Sequence, residues 1–194
     1  MDEKGFTKRI SDTFGEVLPI LENARKGLVM EKGAMIEESI ARFRELLKSR
    51  VAFSEAIIAK KEKDEAEIRY VSMITPLQVA ALSIENVMEK MAIKVEAKIP
   101  FTPNALKELR SLQLLVYSQL TDAKDYVISG DPQLKENIRK SMEEIKRLAG
   151  EYELIHQERL IMGICMPKAS YLYIDITDSL KRAARAMVDF SEKV

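Results

Sequence analysis

Apolar residues recur every three or four positions along nearly the whole chain, which is the spacing of one face of an α-helix. The alternation of apolar and polar residues that predicts a strand is almost absent. A first helix is predicted on the stripe Phe6, Ile10, Phe14, Val17, Leu21, Ala24 and Leu28. Pro19 falls within this helix and is expected to kink or break it, because proline lacks an amide hydrogen.

Two more helices are predicted in the first half of the chain. The second begins after Gly33 and is expected to continue to about Tyr70, on the stripe Ile36, Ile40, Phe43, Leu47 and Val51. The third is expected to begin at Thr75-Pro76, since a capping hydroxyl followed by proline is a common helix start. Its stripe is Leu77, Ala80, Ile84, Met88, Met91 and Val95.

The segment 98–103 is the clearest break in the pattern, because it carries two prolines in six residues. A fourth helix is predicted to follow, capped by Thr102 with Pro103 in its first turn, and to end at Gly130. Asp131-Pro132 starts a fifth helix in the same way. The turn from Gly163 to Pro167 leads into the sixth. The apolar stripes of these three helices begin at Leu109, Leu134 and Leu172.

The predicted fold class is therefore all-α, with six long antiparallel helices arranged as two tandem three-helix bundles. The central break divides the chain into a first bundle over residues 1–98 and a second over 99–194, packed as one compact unit. Cap and proline positions recur in the two halves, which indicates a weak internal repeat. Helices of about 25 to 30 residues are typical elements of such bundles.

Composition and charge exclude several classes of protein. The chain has 194 residues, of which 46% are hydrophobic and 32% charged, so it has enough apolar residues for a core. It has no tryptophan and ten methionines, which indicates an aliphatic core with methionine as gap filler. The formal net charge is zero, whereas a nucleic-acid-binding protein usually carries a basic excess. No nucleic-acid partner is therefore expected.

The location of the protein is predicted from its cysteine content and from its lack of long apolar runs. A single cysteine, Cys165, cannot form an internal disulfide, which favours a reducing compartment. The polar N-terminus does not have the pattern of a signal peptide. No window approaches the run of about 18 apolar residues that suggests a membrane span. A cytoplasmic protein without a membrane span is expected.

The C-terminal run 156–184 carries an ordered set of landmarks, which are His156, Arg159-Leu160, Gly163, Cys165, Pro167, Ala169-Ser170, Asp175-Ile176 and Leu180. This order resembles the last repeat of PhoU-type phosphate-uptake regulators and of the cytosolic tail of sodium/phosphate cotransporters. The resemblance is strongest from Asp131 onward and covers about half of the chain with some specificity. It implies the PhoU-like fold, which is two tandem three-helix bundles.

The resemblance also implies a function. PhoU-like proteins are regulators of phosphate uptake and not enzymes, and they act with a phosphate transporter or with the sensor protein of the phosphate response. Many bind an iron or zinc cluster through Glu-x-x-x-Asp motifs, whose carboxylates lie on one helix face. A phosphate transporter or phosphate-response sensor protein is therefore the expected partner, and a homo-oligomer is also compatible with the sequence.

The acidic motifs of the resembled family are largely replaced here. Basic residues stand at four of the expected acidic positions, which are Lys181, Arg185, Lys146 and Arg69. The remaining metal-ligand candidates are Glu85, Glu89, Asp175 and Asp178. Because neighbouring cations repel a metal ion, the iron or zinc cluster is expected to be absent.

Each of these charged groups also has a simpler interpretation. Glu85 and Glu89 are also explained as carboxylates on a solvated helix face, where Lys90 and Lys94 are their ion-pair partners. Lys181 and Arg185 fit ordinary surface charge. They also fit ion pairs that replace a metal, or a site for an anion or an acidic partner, because their spacing of four places them on one helix face.

Catalytic chemistry finds little support in the sequence. The Glu153-x-x-His156 spacing occurs in di-iron helical bundles, but those need the motif twice and this chain has one histidine. Cys165 lacks a partner base in the sequence. The expected function is a non-enzymatic regulator of phosphate uptake that acts by protein–protein contact. The alternatives are a helical scaffold or adaptor that kept the fold without the phosphate role, and a metal-binding helical bundle.

Overall fold

Six long helices make up the computed structural model of the chain, which describes residues 3–194. They are α1 (Glu3–Val29), α2 (Gly33–Ile58), α3 (Glu65–Glu96), α4 (Pro103–Ser129), α5 (Pro132–Ile161) and α6 (Pro167–Ser191). No strand occurs within the described range. The all-α prediction is confirmed.

Local capping explains several of the helix boundaries. The Thr102 hydroxyl accepts a hydrogen bond from the Ala105 amide at 3.1 Å, and Pro103 follows it in the first turn. The Asp131 carboxylate accepts from the Gln133 amide at 2.8 Å in the same arrangement. Gly130 ends α4 with a φ of 65°, a left-handed conformation that favours glycine. The predicted boundaries at these positions are confirmed.

The predicted boundary between the second and third helices is wrong. The second helix does not continue to Tyr70 but ends at Ile58, and α3 begins at Glu65 rather than at Thr75-Pro76. Asp64 and Glu67 form a capping box, in which each side chain binds the backbone amide of the other residue. Pro76 lies inside α3, whose buried face already includes Tyr70, Met73 and Ile74. Burial of that face outweighs the lost proline hydrogen bond.

Pro19 does not break the first helix, because α1 continues through this residue from Glu3 to Val29. The other predicted effect of Pro19, a kink, stays a prediction. Pro19 itself is exposed, while its neighbours Leu18 and Ile20 are both buried. The packing of this apolar face keeps the helix continuous on both sides of the proline.

A single hydrophobic core includes side chains from all six helices. Within each half, consecutive helices pack against one another, while α3 against α6 and α1 against α4 join the two halves. Phe14 of α1 contacts Phe190 of α6 across this junction, with ring centroids 5.6 Å apart. The predicted division at residues 98 and 99 falls in the turn between α3 and α4, and the assignment of two bundles stays a prediction.

The methionines expected to fill gaps are part of this core. Met73, Met88, Met91 and Met187 are each at most 2% exposed.

Helix α3, which carries three of them, is also long and apolar enough to cross a membrane by length and composition, and it is the one such helix among residues 3–194. Helix α3 packs on α1, α2 and α6, and 39% of its most apolar window is buried.

Candidate functional site

The acidic pair on α3 is occupied by an arginine from α2. The Arg44 guanidinium donates from Nε to Glu85 Oε1 at 2.5 Å and from its Nη2 to Glu89 Oε1. One cation therefore bridges two carboxylates that lie one turn apart, which is the position a metal ion would take. Lys90 and Lys94, the partners predicted for these carboxylates, instead pair with Asp175 and with Glu31 of the α1–α2 turn.

Asp175 lies on the other side of α3, facing its side chains Asn86 and Lys90. It accepts hydrogen bonds from Asn86 Nδ2 at 2.9 Å and pairs with Lys90 Nζ at 3.0 Å. Burial opposes ionisation, but these two donors outweigh it, so the pKa of Asp175 is lowered. Asn86 also donates to Ser179 Oγ at 2.8 Å, which fixes α3 against α6.

The four metal-ligand candidates are thus paired with three different cations. Arg44 holds Glu85 and Glu89, Lys90 holds Asp175, and Lys181 pairs with Asp178 at 2.6 Å. Within residues 3–194, no three His, Cys, Asp or Glu side chains are grouped so that they could hold a metal ion. The metal site stays a prediction on these residues, and each of them already has a cationic neighbour.

The basic residues of α6 line a groove of about 820 Å³ along the junction of α3 and α6, which we call the basic groove. Its cations are Lys181, Arg182, Arg185 and Lys193, and its carboxylates are Asp178 and Asp189. Ser72, Thr75, Pro76 and Val79 of α3 form the opposite side. Four cations against two carboxylates give the groove a positive charge.

Individual contacts show which of these cations are engaged. Lys181 and Arg185 pair with Asp178 and Asp189 of their own helix, the second at 3.3 Å. Ion pairs that replace a metal ion would join carboxylates from different helices. The two ion pairs seen here each lie within α6. Arg182 donates to Ser179 Oγ at 2.7 Å, and it has no ion-pair partner among the residues that the structure describes. It is exposed and available to an anion in the groove.

Arg69 and Lys146, the other two basic substitutions, lie outside the basic groove. Arg69 pairs with Glu3 and so joins α3 to α1 near the N-terminus. Lys146 is exposed on α5. Sequence spacing placed four cations at motif positions, and the fold brings only the two on α6 into one groove.

The C-terminal landmarks form a buried polar cluster between α4, α5 and α6. Arg159 donates to both oxygens of Glu108, at 2.9 and 2.7 Å, and the Tyr173 hydroxyl donates to Glu108 Oε2 at 2.6 Å. The His156 ring stacks on Tyr173 with centroids 4.7 Å apart, and its Nε2 lies 2.6 Å from Ser170 Oγ. These five residues are the polar cluster.

Burial sets the protonation of this cluster. Desolvation, and then the Arg159 charge, lowers the pKa of His156, which favours the neutral ring. Burial and the bond to Glu108 raise the pKa of Tyr173, so its hydroxyl keeps its proton. In Arg159, the hydrogen bonds and charge of Glu108 outweigh desolvation and raise the pKa. The cluster therefore consists of one ion pair, Arg159 and Glu108, and three neutral side chains, His156, Ser170 and Tyr173.

The turn between α5 and α6 is fixed by the same residues. The Arg159 carbonyl accepts hydrogen bonds from the amides of Ile164 at 2.9 Å and Cys165 at 3.3 Å. Gly163 takes a φ of 69°, and Pro167 opens α6. His156 lies inside α5, and its side chain is buried against Ser170 and Tyr173 of α6. Glu153, its partner in the di-iron pattern, is exposed.

Sequence reasoning missed Glu108 and Tyr173, the acceptor and second donor of the cluster. A signal for Glu108 was present, because it stands between Ala105 and Leu109, two buried residues of the α4 stripe. A carboxylate on a buried face needs a partner, since an unpaired buried charge is costly. That reasoning predicts a partner for Glu108 but does not identify Arg159.

Comparison with solved structures identifies the fold. No family model matches the sequence, and no curated protein matches it. Among solved structures, the crystal structure of PhoU from Pseudomonas aeruginosa superimposes with a TM-score of 0.75 over 98% of this chain and 94% of that chain, at 15% sequence identity. The chain therefore has the PhoU-like fold, as the C-terminal landmarks predicted. At this identity the likeness shows the fold alone.

Proposed function

We propose that this protein is a non-enzymatic accessory or regulatory protein of phosphate uptake, located in the cytoplasm. The observation that carries the proposal is the PhoU-like fold over nearly the entire chain. The buried polar cluster joins three helices through Glu108, Arg159 and Tyr173, which is in keeping with a structural role for these residues. Regulation would then operate by contact with a phosphate transporter or with a phosphate-response sensor protein.

The basic groove is the contact surface that we propose for this partner. It combines a concave shape, apolar contacts from Pro76 and Val79, and the unpaired Arg182. An acidic segment of a partner would complement that charge and gain hydrogen bonds from the guanidinium. In this proposal the cations of α6 serve a protein contact at positions where the resembled family carries acidic metal ligands.

A pull-down with the full-length protein tests the proposal in phosphate-limited and phosphate-replete cells. We expect a phosphate transporter or phosphate-response sensor component to be recovered, in an amount that depends on phosphate. The double variant Lys181→Glu/Arg185→Glu is expected to lose it. The matched control Lys4→Glu/Lys8→Glu has the same charge change and spacing on exposed α1 residues, and is expected to retain it.

The outcome also separates the alternatives. Recovery of another partner through the groove, without dependence on phosphate and with no transporter component, would indicate a scaffold or adaptor that kept only the fold. Failure of both wild type and control to recover any phosphate-related component would contradict the proposed function.

A further inference from the structure

One end of the bundle carries exposed apolar side chains on its turns. The α1–α2 turn, the α3–α4 turn and the α5–α6 turn meet at this end, which we call the turn end. Lys94 of α3 pairs with Glu31 of the first turn. Phe101 of the second turn contacts Tyr173 of α6 with ring centroids 6.4 Å apart. The three turns are therefore neighbours.

The α5–α6 turn is the most apolar part of this surface. Ile161 is 86% exposed and Met162 is 64% exposed, and Ile164 and Met166 are more than half exposed. The run from Leu160 to Pro167 contains no charged residue. In the α1–α2 turn, Val29 and Met30 are also more than half exposed. Exposed apolar side chains gathered in this way mark a surface that contacts something other than water.

Exposed lysines lie beside these apolar residues, together with the exposed carboxylates Glu31, Glu96 and Glu158. Lys32 and Lys98 lie in the first two turns, Lys168 lies in the first turn of α6, and all three are exposed. Across the described part of the chain, none of the three has an ion-pair partner. Glu31, the carboxylate nearest to them in the first turn, is already held by the buried Lys94.

The opposite end of the bundle differs. Its α2–α3 turn carries Lys60, Lys61, Glu62, Lys63 and Asp64, and its α4–α5 turn carries Ser129, Gly130 and Asp131. Both of these turns are polar and contain carboxylates as well as cations or hydroxyls. Ile58 and Ile128 lie beside these turns and are 47% and 57% exposed, so this end carries fewer exposed apolar side chains than the six named at the turn end.

We infer that the turn end binds the surface of an anionic lipid membrane. Apolar side chains on convex turns fit the boundary between headgroups and acyl chains, where a partner groove is not needed. Lysines beside them reach the headgroups, and their charge is attracted to anionic lipids. This association is peripheral and requires no membrane-spanning helix. It also requires no protein partner, so it stands apart from the phosphate role.

Co-sedimentation of the full-length protein with vesicles tests this inference. We expect binding to vesicles of phosphatidylcholine mixed with phosphatidylglycerol, weaker binding to phosphatidylcholine alone, and loss of the difference at high salt. The variant Ile161→Ser/Met162→Ser is expected to bind about tenfold more weakly, because it removes most of the inserted apolar surface. Leu82→Ser is the control, since Leu82 is 67% exposed on α3 away from the turn end.

The lysines are tested separately. The triple variant Lys32→Gln/Lys98→Gln/Lys168→Gln is expected to lose the preference for anionic vesicles, and Lys4→Gln/Lys48→Gln/Lys61→Gln, which changes three exposed lysines elsewhere, is expected to keep it. Circular dichroism confirms that each variant is folded. Absence of vesicle binding by the folded wild type, or equal binding by the Ile161/Met162 variant, would overturn the inference. Capture of a protein by the turn end without vesicle binding would overturn it as well.

Discussion

Arg159 and Glu108 form a two-point ion pair inside the second half of the bundle, with N–O distances of 2.9 and 2.7 Å. Their side chains are 7% and 10% exposed. This pair joins α5 to α4, and Tyr173 adds a bond from α6. The C-terminal landmarks are therefore explained by packing, because His156, Arg159 and Ser170 belong to the cluster built around this pair.

Removal of one charge from this pair is expected to destabilise the protein strongly. Glu108→Gln leaves the Arg159 guanidinium buried without a counter-charge, which costs about 3 kcal/mol in the free energy of unfolding. Glu144→Gln, which breaks an exposed pair with Arg147, is expected to change stability far less. Urea denaturation measures both. Equal losses for the two variants would show that the buried pair has no special role.

A double variant that removes both charges of this pair provides a second test. Glu108→Leu/Arg159→Met removes both charges together and is expected to recover most of the stability lost in Glu108→Gln. A double variant no more stable than Glu108→Gln would contradict this account.

The stability of the protein is expected to depend on the protonation of His156. Desolvation and the Arg159 charge lower the pKa of this ring in the fold, against the opposing charge of Glu108. The unfolded chain binds the proton with an ordinary pKa of about 6.5, so it takes up more protons than the folded chain. The neutral His156 ring therefore makes its full contribution to the free energy of unfolding above about pH 6.5, and this contribution is lost as the pH falls below that value.

The midpoint of thermal unfolding, measured from about pH 7.5 to about pH 5.5, tests this expectation. His156→Gln is expected to show a flatter pH profile than the wild type, because it removes the titrating ring. His156 is the one histidine in the sequence, so the difference between the two profiles isolates it. Parallel profiles would exclude His156 as the source.

The Arg44 bridge is expected to suppress metal binding at Glu85 and Glu89. Arg44→Ala leaves two carboxylates one turn apart without their shared cation, and zinc affinity is expected to rise relative to wild type. Arg42→Ala, on the same helix and paired with Glu38, is the control. Isothermal titration with Zn²⁺ measures the change. Stoichiometric iron or zinc in wild-type protein purified without chelators would contradict this interpretation.

Close packing of α1 on α2 depends on Gly27. A Cβ at this position would lie 2.8 Å from Ile36 Cγ1, closer than atoms pack, so Gly27→Ala is expected to cost about 1–3 kcal/mol. Gly15→Ala in the same helix meets nothing within 4 Å and is expected to stabilise by about 0.5–1 kcal/mol. Thermal unfolding of both variants checks the opposite signs, and a neutral Gly27→Ala would show that the turn relaxes.

The helices and most of their boundaries followed from local sequence, because periodicity and capping act over a few residues. Thr102-Pro103 and Asp131-Pro132 were predicted correctly for this reason. The start of α3 was predicted wrongly, because the region from Ile58 to Pro76 contains two patterns typical of a helix start, one at Asp64 and one at Thr75-Pro76. The capping box at Asp64 determined the start, and the buried stripe through Tyr70 and Met73 made an internal proline tolerable.

The site was less predictable, because its contacts cross between helices. Spacing alone showed that Glu85 and Glu89 share a face, but not that Arg44 of α2 lies opposite them. It placed Lys181 and Arg185 on one face of α6, while the groove depends on how α3 packs against that helix. Side-chain partners of this kind depend on the relative rotation of helices, which one sequence does not specify.

We propose that this protein regulates phosphate uptake through the basic groove. The most direct measurement is the rate of phosphate uptake in cells that lack the protein and are complemented with its variants. We predict that loss of the protein changes this rate, and that wild type and Lys4→Glu/Lys8→Glu restore it while Lys181→Glu/Arg185→Glu does not. An uptake rate that is the same with and without the protein, in both phosphate-limited and phosphate-replete medium, would contradict the claim.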